Sequence, residues 1–393
     1  MAVRHLPFRD LLFTLTFAAV VTVNVLSQPP VPAPSPPQQG ETRAITPPAH
    51  PLPPEQASAG VTRFSFIAYG DTRGRRDGIE LQYEHSLVVD SMLATIRRRS
   101  TTPFPVRFVL QSGDAVVNGR DSVQWNKSYV DLIGRLTQQG DVPYFLAPGN
   151  HDVTSATDPK APGRLGGLQN YLDATRLLIP PDDNARRLKG YPTYAFGYGN
   201  TFVIGLDSNI APDDTQFDWV KAQLEGLDRA RYPNVIVFCH HPPFSSGPHG
   251  GMPLELATAA MRARYEPLFR QHHVRMTIAG HEHLFEHWVE RYTDTANQRY
   301  RIDHLVTGGG GAPLYAFEGE PNVQDFLRAG AAERVALEQL VKPGPDPGDN
   351  PYHFVVVQVD GDQFQVEVIG VDWGANFKPY RSNISVLRDP VGR

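Results

Sequence analysis

The chain has 393 residues, 40% of them hydrophobic, which is enough apolar material for a large packed core and excludes a disordered protein. A formal net charge of -5 provides no broad basic surface, so no nucleic-acid face is evident. The single cysteine, Cys239, excludes an intrachain disulfide, and burial or metal must hold the fold.

At the N-terminus, Arg4 and Arg9 precede an uncharged, mostly apolar stretch over 11–25, closed by the small residue Ser27. The pattern reads as an export signal over 1–27, cleaved after Ser27 or kept as an N-terminal anchor. A spanning helix wants about 20 predominantly apolar residues, and this stretch is shorter and interrupted by Thr14, Thr16, Thr22 and Asn24. The expected location is periplasmic, secreted or tethered outside the cytoplasm, with membrane attachment only through this end. Eleven prolines then fall in 29–54, where only Glu41 and Arg43 are charged. Proline lacks a donor and fixes φ, so 28–59 is expected as a disordered tether.

From residue 60 to 317 the pattern changes to short apolar runs alternating with longer amphipathic ones, as in layered α/β architecture. Strands are expected over 63–69, 106–111, 143–146, 201–206, 234–239 and 274–279, and helices over 80–98, 122–138, 215–229 and 253–271. The segment 318–350 reads as a helical insertion, with a helix over 323–340 ended by a run of proline and glycine. An alternating pattern on both sides of Asp360-Gly361-Asp362 predicts a hairpin within 351–388 that completes the main domain.

Most of the expected strands run into a polar cluster. The clusters are Gly70-Asp71-Thr72-Arg73, Gly113-Asp114, Gly149-Asn150-His151-Asp152, His240-His241-Pro242-Pro243 and Gly280-His281-Glu282-His283. The carboxyl ends of strands in α/β sheets are where loops converge on ligands. Taken singly, a Gly-Asp pair is an ordinary turn. Five clusters of carboxylate, amide and imidazole at strand ends are hard to reconcile with packing alone, because each group would need a partner when buried. Such donors suit zinc, manganese or iron, and a carboxylate can bridge two cations spaced for in-line displacement at phosphorus.

On these motifs the chain resembles the calcineurin-like metallophosphoesterases over roughly 64–311. The stretches 240–247, 281–287 and 308–315 look particularly like the branch related to purple acid phosphatases. The resemblance implies two packed mixed β-sheets flanked by helices, a four-layer sandwich. It also implies two divalent or mixed-valence ions (Mn, Zn or Fe) and hydrolysis of a small phosphorylated substrate by metal-activated water. Carried over by position, it assigns Asp71 and His283 to a first metal, Asn150, His240 and His281 to a second, and Asp114 to the bridge. His240 rather than His241 matches, since it ends an apolar run and has proline two residues later. His151 is expected as proton donor, oriented by Asp152. The family pattern is broken twice: Arg73 stands where many members have histidine, and Val117 where purple acid phosphatases have a metal-binding tyrosine. Arg73 is expected either to clamp a substrate phosphate or to pair with a loop carboxylate on the surface.

Weaker signals are read as structural. His249 is expected to face solvent rather than to reach substrate from a mobile loop, Asp207 to cap a turn, Cys239 to act as a small hydrophobe, and His287 and His304 to pack or to support site residues from behind. Asn118 could help fill the first metal's coordination, and the glycines over 308–311 either cradle phosphate or form a tight turn. Two alternatives to an exported phosphoesterase stay open. One is a phosphodiesterase acting on nucleotides or lipid headgroups; the other is a non-catalytic metal- or phosphate-binding protein of the same fold.

Overall fold

The computed structural model describes residues 40–74 and 82–371, together with the backbone of 381–384. The expected export signal over 1–27 lies outside the described residues. Among the described residues no helix is long and apolar enough to cross a membrane.

Two sheets form the middle of the molecule. The first has six strands in the order β13-β12-β11-β1-β2-β3. Its members are β1 (Arg63–Tyr69), β2 (Val106–Gln111), β3 (Tyr144–Leu146), β11 (Tyr352–Asp360), β12 (Gln363–Val371) and β13 (Arg381–Ile384). The second has seven in the order β10-β8-β9-β7-β6-β5-β4. These are β4 (Tyr194–Tyr198), β5 (Thr201–Gly205), β6 (Asn234–Phe238), β7 (Met276–Ala279), β8 (Phe285–Thr293), β9 (Arg299–Thr307) and β10 (Ala336–Val341). In the first sheet β1, β2 and β3 run parallel, and in the second β5, β6 and β7 do so. Each parallel core therefore sends its carboxyl ends to one edge.

The facing surfaces are aromatic and β-branched. Phe145 stacks on Phe196 with ring centroids 4.0 Å apart, and Phe108 meets Phe196 edge-on at 5.4 Å. Phe66, Val355 and Val357 from the first sheet join Phe238, Met276 and Ile278 from the second in one buried cluster. Outside the first sheet pack the helix Tyr83–Arg99, a helical run over 122–138 and the helix Pro162–Thr175, burying Val88, Met92, Leu136 and Tyr171. Outside the second lie the helix Asp214–Glu225 and a helical run over 256–271, burying Val220, Leu224 and Phe269. This is the expected α/β/β/α sandwich.

Two expectations change. The helix over 323–340 is six residues long, Gln324–Ala329, and Ala336–Val341 is a strand paired antiparallel with β8 at the sheet edge. Its exposure alternates residue by residue, and the composition fits either period, so pairing with a neighbour decides. The described part of the tether, 40–59, is bound along the body rather than disordered. Ile45 is fully buried and its N–H donates to Ala174 O at 2.9 Å. Glu55 accepts a two-pronged pair from Arg186 Nε and Nη2 at 2.9 and 3.0 Å.

Behind the first sheet, His85 Nδ1 and Nε2 lie 2.8 Å from Gln82 Oε1 and 3.1 Å from Tyr69 Oη. Burial pushes the His85 imidazole down to about 3 and that of His353 down to about 4, from an ordinary 6.5. Stability is then fully present above pH 6.5. As pH falls from there toward 4, the unfolded chain takes up protons that the folded one refuses, at a cost of up to about 1.4 kcal/mol per pH unit per histidine. The gap in unfolding free energy between wild type and His85→Gln should therefore shrink between pH 7 and 4.5 in denaturant titrations. A gap that stays constant contradicts this account.

Candidate metal centre

The carboxyl ends of β1, β2, β6 and β7 are laced together by their backbones. Asp71 N–H donates to Gly113 O at 3.0 Å, Thr72 N–H to Asp114 O at 2.9 Å, and Gly280 N–H to His240 O at 3.0 Å. Asp71, Asp114 and His281 sit at φ 60, 53 and 70, in the left-handed region that side chains rarely occupy. Each costs on the order of 1–3 kcal/mol and persists only where its surroundings enforce it. Gly149 makes one such enforcement possible, since a Cβ there would lie 2.2 Å from Asp114 Oδ1.

Asp114 stands in the middle, 2% exposed. Its Oδ1 accepts His151 N–H at 3.0 Å and lies 3.4 Å from His240 Nε2, while its Oδ2 lies 3.4 Å from Arg73 Nε. One oxygen thus faces each half of the site. On one side His240 Nε2 is 2.8 Å from Asn150 Oδ1 and 3.1 Å from His281 Nδ1, so three donors converge. On the other, Asp71, Asp114 and His283 bring one donor atom each within 4.8 Å of one another. His283 Nε2 is 3.5 Å from Asp71 Oδ1.

The imidazoles share one arrangement. His240 Nδ1 lies 2.8 Å from Ser112 O and His283 Nδ1 lies 2.6 Å from Pro313 O, so in each the Nδ1–H donates to a carbonyl and Nε2 is turned to the centre. For His281 the roles reverse: Nε2 donates to Glu255 Oε2 at 2.9 Å, and Nδ1 faces His240. Fixing one ring nitrogen selects the tautomer and aims the other as a ligand. Burial holds His240 near 4 and His283 near 3, which keeps both rings neutral, the form that binds metal.

The carboxylates are less settled. For Asp114, burial opposes ionisation, but attraction to His240 and His151 in their protonated forms and to Arg73 outweighs it and holds the acid well below its usual range. Asp71 is driven well above that range by burial first and by the Asp114 charge second, against Arg73. Two buried carboxylates so placed call for more positive charge than Arg73 supplies, and the oxygen and nitrogen donors suit divalent cations.

His151 lies at the edge of the same centre. Its Nε2 points inward, 3.9 Å from Asp114 Oδ2, but its Nδ1–H donates to Val117 O at 2.8 Å. Asp152 therefore does not orient it. Both Asp152 oxygens are taken by backbone N–H groups, from Ala115 at 2.9 Å and Val116 at 3.3 Å to Oδ1 and from Gly149 at 2.9 Å to Oδ2. Asp152 ties the loop after β2 to the loop after β3. Arg73, with its side chain 17% exposed, lies within the site rather than on the surface.

Other expectations fare unevenly. His249 does not simply face solvent: its ring lies 4.3 Å from that of His281, and Nδ1 is 3.4 Å from Glu282 Oε2. Asn118 is turned away, accepting from Arg120 N–H. In the glycine run, Gly308 and Gly310 spend their N–H groups within the fold, on Leu284 O and Gly70 O. Asp207 caps its turn through Asn209 N–H and pairs with buried Arg164. Burial pushes the Cys239 thiol up, as befits a packing residue. Glu255 lies in no motif, and Tyr315, which stacks on His283 at 4.0 Å, ends the family-like stretch 308–315 but is not among the expected site residues.

Similarity to known proteins bears on the same stretch. A 27% identity over 246 residues links the chain to purple acid phosphatase 1 of Ipomoea batatas, covering 60% of this chain and 46% of the relative. The Fe(3+)-Zn(2+) purple acid phosphatase 12 of Arabidopsis thaliana is 35% identical over 224 residues, 54% of this chain and 44% of the relative. The chain thus spans less than half the length of these relatives. The solved structure of purple acid phosphatase PPD1 from yellow lupin seeds superposes with a TM-score of 0.56 at 17% identity, over 81% of this chain and 53% of that one, which speaks for the fold. The model of the calcineurin-like phosphoesterases matches residues 85–285, half of the chain and the part that holds Asp114, Asn150, His240, His281 and His283. The chain belongs to the calcineurin-like phosphoesterase family.

Proposed function

We propose that this protein hydrolyses phosphate esters of small molecules at a centre of two divalent cations, and that it does so after export. The observation that carries the reading is the orientation of His240, His281 and His283. Each gives one nitrogen to a fixed protein acceptor and turns the other into the centre, His240 toward Asn150, His281 toward His240 and His283 toward Asp71. Asn150, His240 and His281 would hold one cation, Asp71 and His283 the other, with Asp114 between them. Such a pair, when bound, makes water nucleophilic at neutral pH and neutralises charge on phosphoryl oxygens. The relative named for an Fe(3+)-Zn(2+) pair supports iron or zinc. Export rests on the sequence of residues 4–27.

The protein's own groups do the rest. With Nδ1–H held by Val117 O, a protonated His151 can release its proton only from Nε2, which faces the centre. There it protonates the leaving alkoxide. Arg73 Nε is buried and without a hydrogen-bond partner, so a phosphoryl oxygen arriving beside Asp114 would find a donor in place. The same guanidinium repels a cation beside Asp71, so the first cation binds more weakly than the second.

Four outcomes are expected. His151→Asn should lower kcat for an alkyl phosphate by roughly 10²–10⁴-fold but far less for nitrophenyl phosphate, whose leaving group needs no proton. Bound metal should not change, and equal losses on both esters would remove the proton-donor role. Rates on mono- and bis-nitrophenyl phosphate, with chelation abolishing both, separate monoesterase from diesterase; inertness on both would refute hydrolysis. Arg73→His, which exchanges a cation for a neutral donor, should slow loss of the first metal to a chelator, and faster loss contradicts the repulsion. Asp152→Asn should lower melting temperature and metal retention together, whereas lost activity with both intact would restore a direct role beside His151.

A further inference from the structure

A second group of donors lies away from the catalytic residues, on the surface of the second sheet covered by the helical run over 256–271. Glu266 opens the helix Glu266–Gln271, directly after the π-turn Met261–Tyr265. Trp288 of β8 faces His304 of β9 in the antiparallel register, so Glu290, two residues further along β8, shares a sheet face with His304. Glu266 and Glu290 are fully buried and His304 is 1% exposed.

These residues bring one donor atom each within 4.8 Å of one another. His304 Nε2 is 3.5 Å from Glu290 Oε2 and 3.9 Å from Glu266 Oε2. Both separations are too long for hydrogen bonds. They are close to the edge of a coordination polyhedron, which for a tetrahedral zinc site with bonds of about 2.1 Å is roughly 3.4 Å. No N–H or O–H group of the protein donates to either oxygen of Glu266 or to Oε2 of Glu290, and Nε2 of His304 has no hydrogen-bond partner; the two acids approach each other closely enough to share a proton if no cation lies between them. The other ring nitrogen, His304 Nδ1, lies 2.8 Å from Thr277 Oγ1, which fixes the ring with Nε2 toward the acids. It is the same device that orients the imidazoles of the catalytic centre.

The neighbouring arginines leave the charge open. Arg270 Nη1 donates to Glu290 Oε1 at 2.7 Å, and its Nε is committed to Glu333. Arg262 spends Nη1 on Asn322 O at 2.9 Å and Nε on Pro243 O, and its Nη2 has no hydrogen-bond partner. Neither guanidinium hydrogen-bonds to Glu266. Phe244 closes the group from above, its ring 5.2 Å from that of His304.

We propose that Glu266, Glu290 and His304 bind a divalent transition ion, zinc or a close relative, as a third and structural metal that pins the helical run over 256–271 to the β8–β9 hairpin. Two carboxylates, one imidazole and no thiolate select zinc, manganese or iron over softer ions. Phe244 follows His240 and His241 by a few residues, so the ion would also steady the loop that carries a catalytic ligand.

The test is zinc stoichiometry. Full-length protein is stripped with chelator, reloaded with zinc, desalted and measured by plasma mass spectrometry. Glu266→Gln, which keeps shape and hydrogen-bonding capacity, should lose about one zinc per chain relative to wild type. An Asp114→Asn, His283→Asn double variant, in which the catalytic centre is disabled, should keep a zinc that adding Glu266→Gln removes. Equal zinc with and without Glu266→Gln in both backgrounds would overturn the proposal and assign the acids to a shared proton. If Glu266→Gln does not fold, a zinc anomalous peak within bonding distance of His304 Nε2 in wild-type crystals supports the site, and its absence overturns it.

Discussion

Asp114 is a carboxylate 2% exposed at the meeting point of both sheets, and the structure around it is organised to leave it ionised. Burial alone would neutralise it. The imidazoles of His240 and His151 when protonated, together with Arg73, reverse that, and its two oxygens divide these partners, Oδ1 toward His240 and Oδ2 toward Arg73. Asp71, close by and deprived of comparable support, is pushed the other way. Two carboxylates in such a position are tolerable when cations come between them, and the strained backbone at Asp71, Asp114 and His281 is the cost of aiming all three at one point.

That aim is maintained by groups that hold the loops and rings from behind. Asp152 holds Ala115, Val116 and Gly149 by their N–H groups and so sets the spacing of the two loops that present Asp114 and Asn150. Val117 O, Ser112 O, Pro313 O and Glu255 each hold one ring nitrogen. The family's motif residues are therefore only half of the centre, and the other half is largely backbone carbonyl. A carbonyl leaves no trace in residue identity, which is why the sequence points to the neighbouring Asp152, and not to Val117 O, as the partner of His151.

The parallel cores were legible because their strands are short, β-branched runs ended by polar clusters; β1 and β2 fall where the pattern puts them. The β8–β9 hairpin was not. It buries Glu286, His287, Glu290, Asp303 and His304, so neither alternation nor an apolar run marks it. The helix Pro162–Thr175 contains three glycines and shows no apolar stripe. The edge strand Ala336–Val341 has a helix-forming composition and becomes a strand only because β8 offers an unpaired edge. In the site, motif spacing names Asp71, Asp114, Asn150, His240, His281 and His283, whose side chains the fold brings together, while the approach of Glu255 to His281 is seen only in three dimensions. The departure at position 73 was visible in sequence, but its consequence, a guanidinium 3.4 Å from Asp114, was not.

The central claim is that Asp114 bridges two cations held by these oriented imidazoles. Anomalous difference maps from crystals soaked in manganese test it most directly. The account predicts two peaks flanking the Asp114 carboxylate, one within bonding distance of Asn150 Oδ1, His240 Nε2 and His281 Nδ1, the other next to Asp71 and His283 Nε2 and the weaker of the two. A single peak seated instead among His241, Glu255 and His281, whose donor atoms also lie within 4.8 Å of one another, would contradict it.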